Sequence, residues 1–220
     1  MGGSLISEPA YDTVVYWGAD YANTDSDAFG LDAGFVTALN GNIAASGWIM
    51  SGSIGYGNTD APLSETDSVY GTLLLGYQWV MPDFYVSLAG GAHVVNNDEN
   101  PPGGITDGSE FGAIAQYGFE TTRTNSLYFQ SYGSFSTAYD QVYLHAKAGY
   151  KLPTLRFGGE FTVFDEVASS STLRYGAFVG DIPLTDRLSM VVSAGYQDEQ
   201  GSSDDGFYAT IGFAVPFSLR

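Results

Sequence analysis

The sequence predicts an all-β protein, a closed antiparallel up-and-down transmembrane β-barrel of about twelve strands, of the bacterial outer-membrane type. Three observations predict it. Stretches in which bulky apolar residues alternate with small or weakly polar ones recur along the chain, and the connections between them run alternately short and long. The chain also ends on a long amphipathic strand, GFYATIGFAVPFSLR. In it Phe207, Ala209, Ile211, Phe213, Val215 and Phe217 alternate with Tyr208, Thr210, Gly212, Ala214 and Pro216. Its length suits a tilted strand that crosses a bilayer. Thr210, Gly212, Val215 and Phe217 fit a polar-x-Gly-x-x-apolar-x-aromatic pattern that resembles the C-terminal assembly signal of outer-membrane barrels.

Taken in order, the alternation predicts strands at about residues 11–22, 28–39, 47–58, 67–79, 84–95, 109–121, 126–137, 141–151, 155–166, 172–184, 187–198 and 206–217. The fourth is among the clearest: Val69, Leu73, Leu75, Tyr77 and Trp79 form one face, and Tyr70, Thr72, Gly76 and Gln78 the other. The seventh, LYFQSYGSFST, is aromatic on both faces, so periodicity does not say which face it turns inward. Even strands are followed mostly by tight turns such as MPD, TRTN and LPT, with NGNIAASG the exception. Odd strands are mostly followed by longer polar loops, NTDAPLSE and NNDENPPGGITDG among them. Short turns on one rim, long loops on the other and both termini on the short side make the layout of an outer-membrane barrel.

Composition narrows the function. Residues 1–220 carry no shift that marks a linker, so a single domain is expected, with MGGS read as a cloning remnant and residues 1–10 as a tail. The export signal such a protein needs is expected to have been removed ahead of it. Acidic residues outnumber basic ones 25 to 7, which argues against nucleic acid as a partner. The chain has no Cys and no apolar run long enough for a transmembrane helix. Acidic residues such as Asp60, Glu65, Asp98 and Asp107 gather at the long-loop rim, while Arg123, Lys151, Arg156 and Arg187 gather at the short-turn rim. No loop has the ordered ligand spacing of a calcium site, and no metal or other cofactor is expected.

The polar face is mostly Gly, Ser, Thr, Ala and Gln rather than Lys and Glu, as a narrow lumen requires and a soluble sandwich does not. The other face carries aromatics near strand ends, including Trp48, Tyr56, Tyr77, Trp79, Phe84, Tyr150 and Phe217, consistent with two interfacial girdles. A few ionisable residues share the inward parity: Glu110, Glu120, His145, Lys147, Arg156, Glu160 and Arg174. They read as a lumen charge patch, either a salt-bridge network that closes the interior or a selective pore lining, with Glu160 and Arg156 as same-face neighbours. His93, on inward parity with Ser87 and followed by Asp98, is the one arrangement that could serve a rim hydrolase or protease. No nucleophile elbow, metal cluster or phosphate loop accompanies it, so no catalytic residue is assigned.

Several segments in order resemble the alphaproteobacterial cellulose biosynthesis protein BcsS family: ALNGNIAASGWIMSGSIGYG from Ala38, GYQWVMPDFYVSLAGGAHV from Gly76, GSEFGAIAQYGFET from Gly108, YGSFSTAYDQVYLHAKAGYK from Tyr132 and LRYGAFVGDIPLTDRLSMVVSAGYQ from Leu173. The resemblance spans most of the chain from Ala28 onward and brings no defined catalytic or binding residues. It implies a non-enzymatic role beside cellulose or exopolysaccharide synthesis or export, as scaffold or secretion accessory, in the outer membrane of a Gram-negative bacterium. The partners then expected are outer-membrane lipid and lipopolysaccharide, the outer-membrane assembly machinery, and cellulose or cellulose-secretion components. A passive small-solute channel is the alternative.

Overall fold

The computed structural model describes residues 11–24, 26–61, 63–167, 171–200 and 205–219. Its strands are β1 (Thr13–Asn23), β2 (Asp27–Ala38), β3 (Gly47–Ala61), β4 (Ser64–Val80), β5 (Phe84–Asn100), β6 (Gly108–Thr121), β7 (Ser126–Ser136), β8 (Val142–Lys151), β9 (Arg156–Asp165), β10 (Thr172–Pro183), β11 (Ser189–Glu199) and β12 (Asp205–Phe217). Each pairs antiparallel with its neighbours in sequence, and β1 pairs with β12 to close a 12-stranded barrel. The closing register runs from Thr13↔Phe217 to Asn23↔Phe207. Closure leaves no sheet edge with unpaired backbone, the condition for a sheet to sit in lipid. Among the described residues, no helix is long and apolar enough to cross a membrane.

The alternation read from the sequence corresponds to the two faces of the wall. Ile54, Leu73, Leu75, Leu88, Leu127 and Phe207 stand out from the barrel and are exposed, while Leu74, His93, Tyr128, Glu160, Phe178 and Tyr208 point inward and are buried. β7 resolves by the same rule, with Tyr128 and Ser136 inward and Leu127, Phe129 and Phe135 outward. On the outer face near the short-turn rim, Trp48, Tyr77 and Trp79 form one run of ring contacts and Phe84, Phe119 and Phe129 another. Near the opposite rim, Tyr175, Tyr196 and Phe207 form a third.

The loops depart from expectation on one side of the barrel. NTDAPLSE, expected as a loop, is mostly strand: β3 runs to Ala61 and β4 begins at Ser64. Asn96 to Asn100, Asp98 included, likewise belong to β5. The ladder continues because polar side chains pair across it, Asn58 with Glu65 and Asp67, and Ser68 with Asn97. Hydropathy alternation marks where an apolar surroundings ends, whereas backbone pairing ends only where the partner strand does. β3, β4 and β5 therefore project 15 to 17 residues long, against 10 for β8 and β9. Asp25, Asp204 and residues 1–10 lie outside the described residues.

The connection after β7 turns inward instead of out. Thr137 N–H donates to the Ala113 carbonyl, and Tyr139 and Asp140 take positive φ of 53° and 50°. Ala138 and Tyr139 are thereby buried against Val95 and Tyr70 on the inner wall.

Glycine decides how closely two strands approach at Gly149 and Gly158, which face each other between β8 and β9. A Cβ on Gly149 would overlap the Phe157 carbonyl, and one on Gly158 the Ala148 carbonyl. At Gly57 the nearest atom to an added Cβ is the Phe29 carbonyl oxygen, 3.9 Å away. Gly149→Ala is expected to cut the fraction of refolded protein with heat-modifiable gel mobility severalfold, and Gly57→Ala to leave it unchanged.

Candidate functional site

The lumen wall places the predicted ionisable residues in three groups along the barrel axis. At the short-turn end, Arg156 of β9 donates through Nη1 to Glu120 Oε1 of β6 at 2.5 Å and to the Tyr128 hydroxyl. Its Nε lies 3.3 Å from Asp181 of β10, and Lys151 Nζ lies 4.0 Å from Glu120 and 3.8 Å from Asp181. Tyr85, Tyr128 and Gln130 each donate to Glu120, at 3.1, 3.3 and 3.2 Å. Arg156 lies over the Tyr128 ring, 4.9 Å from its centroid. The Glu120 carboxylate is saturated with donors, as a charge inside a barrel must be.

In the middle, Glu160 of β9 is 6% exposed and directly opposite Lys147 of β8, with Lys147 Nζ at 3.3 Å. The Tyr208 hydroxyl of β12 donates to Glu160 Oε1 at 2.7 Å. His145 Nε2 stands 3.8 Å from Glu160 Oε2, while its Nδ1 is 2.8 Å from the Thr162 hydroxyl and its ring stacks on Tyr132 at 4.9 Å. Lys147 also lies over the Phe178 ring, 4.9 Å from its centroid. Toward the long-loop end, Arg174 of β10 donates through Nε to Gln197 at 2.7 Å and through both terminal nitrogens to Asp20 of β1 at 3.3 Å.

Glu120, His145, Lys147, Arg156, Glu160 and Arg174 thus all line the interior. Glu110 shares their parity but stands apart at the long-loop end, opposite Val95, and forms no ion pair with a described residue. Glu160 and Arg156 do not pair: β9 presents them four residues apart, and each meets a different opposite charge. Lys151 and Arg156, expected at the short-turn rim, turn into the lumen.

Asp20, Asp181 and the tyrosines that complete the network escaped the sequence reading. Asp181 reaches Arg156 because the β10–β11 register shifts between Val179 and Ile182, with Asp181 at a φ of 56°. The Gly180-Asp181 pair inside an apolar strand was the available signal of that bulge. The inward parity of Tyr128 and Tyr208 was legible, but a hydroxyl earns notice as a partner only once the opposite wall is known.

His93 is buried, and its Nδ1 meets the Ser136 hydroxyl of β7 at 2.8 Å. Ser87 lies six residues along the same strand, about 20 Å away at strand rise. Asp98 pairs in register with Asp67 on the opposite face of the wall from His93. The rim triad is therefore not assembled. Among the described residues, no group of three His, Cys, Asp or Glu could hold a metal.

The terminal pattern sits as expected in β12. Thr210 faces inward at 2.5 Å from the Ser193 hydroxyl, Gly212 is opposite Gly18, Val215 opposite Val15, and Phe217 opposite Thr13 at the short-turn end.

Fold and lumen together define the class: a 12-stranded antiparallel barrel of the kind found in bacterial outer membranes, with a charged and aromatic interior. It is similar to the translocator domain of the autotransporter NalP from Neisseria meningitidis, with a TM-score of 0.56 and 9% identity over 97% of this chain and 91% of that one. The β-domain of the Bordetella autotransporter BrkA gives a TM-score of 0.53 and 12% identity over 94% and 99% of the two chains. The KdgM porin gives a TM-score of 0.50 and 9% identity over 92% and 99%. At such identities the likeness is one of fold. The sequence then names the family: residues 14–217 match the cellulose biosynthesis protein BcsS family, and the chain belongs to it. No curated protein matches the sequence.

Two predictions follow from these contacts. Glu160→Gln is expected to lower the unfolding midpoint by leaving Lys147 unmatched, and adding Lys147→Met to restore part of the loss, with a coupling of about 1 kcal/mol or more in denaturant titration. Arg156→Met should instead add independently to Glu160→Gln. For assembly, Phe217→Ser should reduce membrane yield severalfold more than Phe207→Ser, an outward aromatic at the other end that is 72% exposed. Tyr208 is unsuitable as the control, because it holds Glu160 inside the lumen.

Proposed function

We propose that this protein is a non-enzymatic outer-membrane barrel that supports cellulose or exopolysaccharide production as a scaffold or secretion accessory, not as an open pore. Membership of the BcsS family supports the link to cellulose, and likeness to outer-membrane barrels supports the location. The observation that carries the scaffold reading is the set of side-chain bonds thrown across the lumen between strands three places apart. Arg156 of β9 reaches Glu120 of β6, Tyr208 of β12 reaches Glu160 of β9, and Arg174 of β10 reaches Asp20 of β1. Such chords leave the wall and occupy the path that a solute would take. Ala138 and Tyr139 are buried on the inner wall above them.

On this reading the partners are outer-membrane lipid and lipopolysaccharide outside the barrel, the assembly machinery that reads the β12 terminus, and cellulose or cellulose-secretion components at the rims. The residues of the lumen patch serve to hold the barrel closed and rigid. The channel alternative draws on the porin fold of KdgM, and conductance separates the two. The protein in a planar bilayer is expected to be silent, while steady ohmic openings would move the assignment to a passive channel. In the native host, loss of the gene should lower extracellular cellulose, measured as glucose released by cellulase, and the wild-type gene should restore it.

A further inference from the structure

One space in the upper lumen is left unfilled by the network. At the long-loop mouth, on the wall made by β1 to β4, a cavity of about 210 Å³ is bordered by Asp20, Gly30, Asp32, Gly57, Thr59 and Tyr70. It equals the liquid volume of roughly seven waters, room for one sugar ring and not for a folded chain.

The cavity exists because glycine replaces side chains along this part of the wall. The Tyr70 ring lies down over Gly55, its cross-strand partner, instead of projecting across the lumen. Gly30 and Gly57 face each other across β2 and β3 and add no side chain to the space. The Asp20 carboxylate lies over Gly30 in the same way, and a Cβ there would overlap it.

Two acceptors with spare capacity border this space. Arg174 engages Asp20 through Oδ2, which leaves Oδ1 over Gly30. The Asp32 carboxylate receives no hydrogen bond from any described residue, although it lies beside Asp20 in the cavity wall. Two acceptors beside an aromatic ring call for a ligand rich in donors and apolar on one face. A divalent cation is a poor match, since no third acidic, His or Cys ligand joins the two among the described residues.

We infer that this cavity is a saccharide subsite, which takes a single neutral pyranose unit of a β-linked glucan at the extracellular mouth. Ring hydroxyls donate to Asp32 and to Asp20 Oδ1, and the C–H face of the sugar lies against Tyr70. The ligand identity rests on the cellulose reading above, while the site itself rests on the cavity and its open acceptors. It gives a barrel closed to flow a means of holding a glucan at the cell surface.

Isothermal titration calorimetry on the refolded protein in detergent tests this, with cellotetraose and calcium chloride as separate ligands. Cellotetraose is expected to bind, and calcium not to. Asp32→Ala and Gly57→Leu should each weaken cellotetraose about tenfold, the scale of a lost hydrogen bond to a charged group. Gly57→Leu fills the space from a position where the added Cβ meets no close neighbour, so it should keep the heat-modifiable mobility of the folded barrel. Equal affinity in the folded variants, calcium binding that Asp32→Ala abolishes, or no heat with cellotetraose would each overturn the subsite. None of these results bears on the export role, which the cellulose yield of the gene-deleted host decides separately.

Discussion

The pairing of β1 with β12 is the constraint on which the rest of this molecule depends. All 11 residues of β1 are in register with β12 on one side and β2 on the other, so the sheet has no free edge. In hydrocarbon an unpaired backbone amide or carbonyl has no water to turn to, and a 12-stranded sheet left open would expose a full strand of them. Closure lets the outer face be largely apolar and aromatic at no cost in unsatisfied backbone, and it creates an interior that side chains must fill or leave wet. It also makes the termini neighbours, which is why the last strand, with Phe217 at its end, occupies a position that completes the structure.

Closure confines charge, and the interior answers with near-balance. Lys147, Lys151, Arg156 and Arg174 account for most of the chain's 7 basic residues, and they meet Glu120, Glu160, Asp181 and Asp20. The net charge of −18 therefore belongs to the rims and not to the lumen. A buried ion pair is a weak source of stability, because desolvation cancels much of the attraction, but a buried ion without a partner is costly. The network is thus better understood as a device that fixes the interior in one arrangement than as a store of stability. Tyrosine makes this possible. Tyr85, Tyr128 and Tyr208 supply hydroxyl donors to the carboxylates, and Tyr128 and Tyr208 also present ring faces to the cations, covering both kinds of charge with one side chain.

The two halves of the wall differ in what they can do. The β6–β12 half carries most of the ion pairs and is tied across itself. The β1–β4 half is lined with small residues, with Tyr16 lying over Gly34 and Tyr70 over Gly55, and holds the open cavity. The wall extends farthest beyond the barrel body at the edge of this half, through the long ladders of β3, β4 and the adjoining β5. Ion pairs on one side and a recess beneath a projecting sheet on the other fit the scaffold role proposed above.

The barrel class, the strands and the inward parity of the lumen residues were legible in the sequence, because alternation with a period of two is imposed directly by having lipid on one side of a sheet. The alternation of the last strand was legible for the same reason, and the ordered segments that resemble the BcsS family agree with the family match over residues 14–217. The ends of β3 to β5 were not legible, since strand pairing outside lipid leaves no hydropathy signal. Nor were the partners within the lumen. Parity says that Glu160 points inward and the β8–β9 hairpin sets it opposite Lys147, but only the closed barrel, with its stagger and the bulge at Asp181, decides that Glu160 also meets Tyr208 while Arg156 meets Glu120 and Asp181. The face of a strand is a local property of the backbone, and it can be read one residue at a time. Contact across a lumen depends on how 12 strands tilt and close together, so it exists only in the tertiary structure.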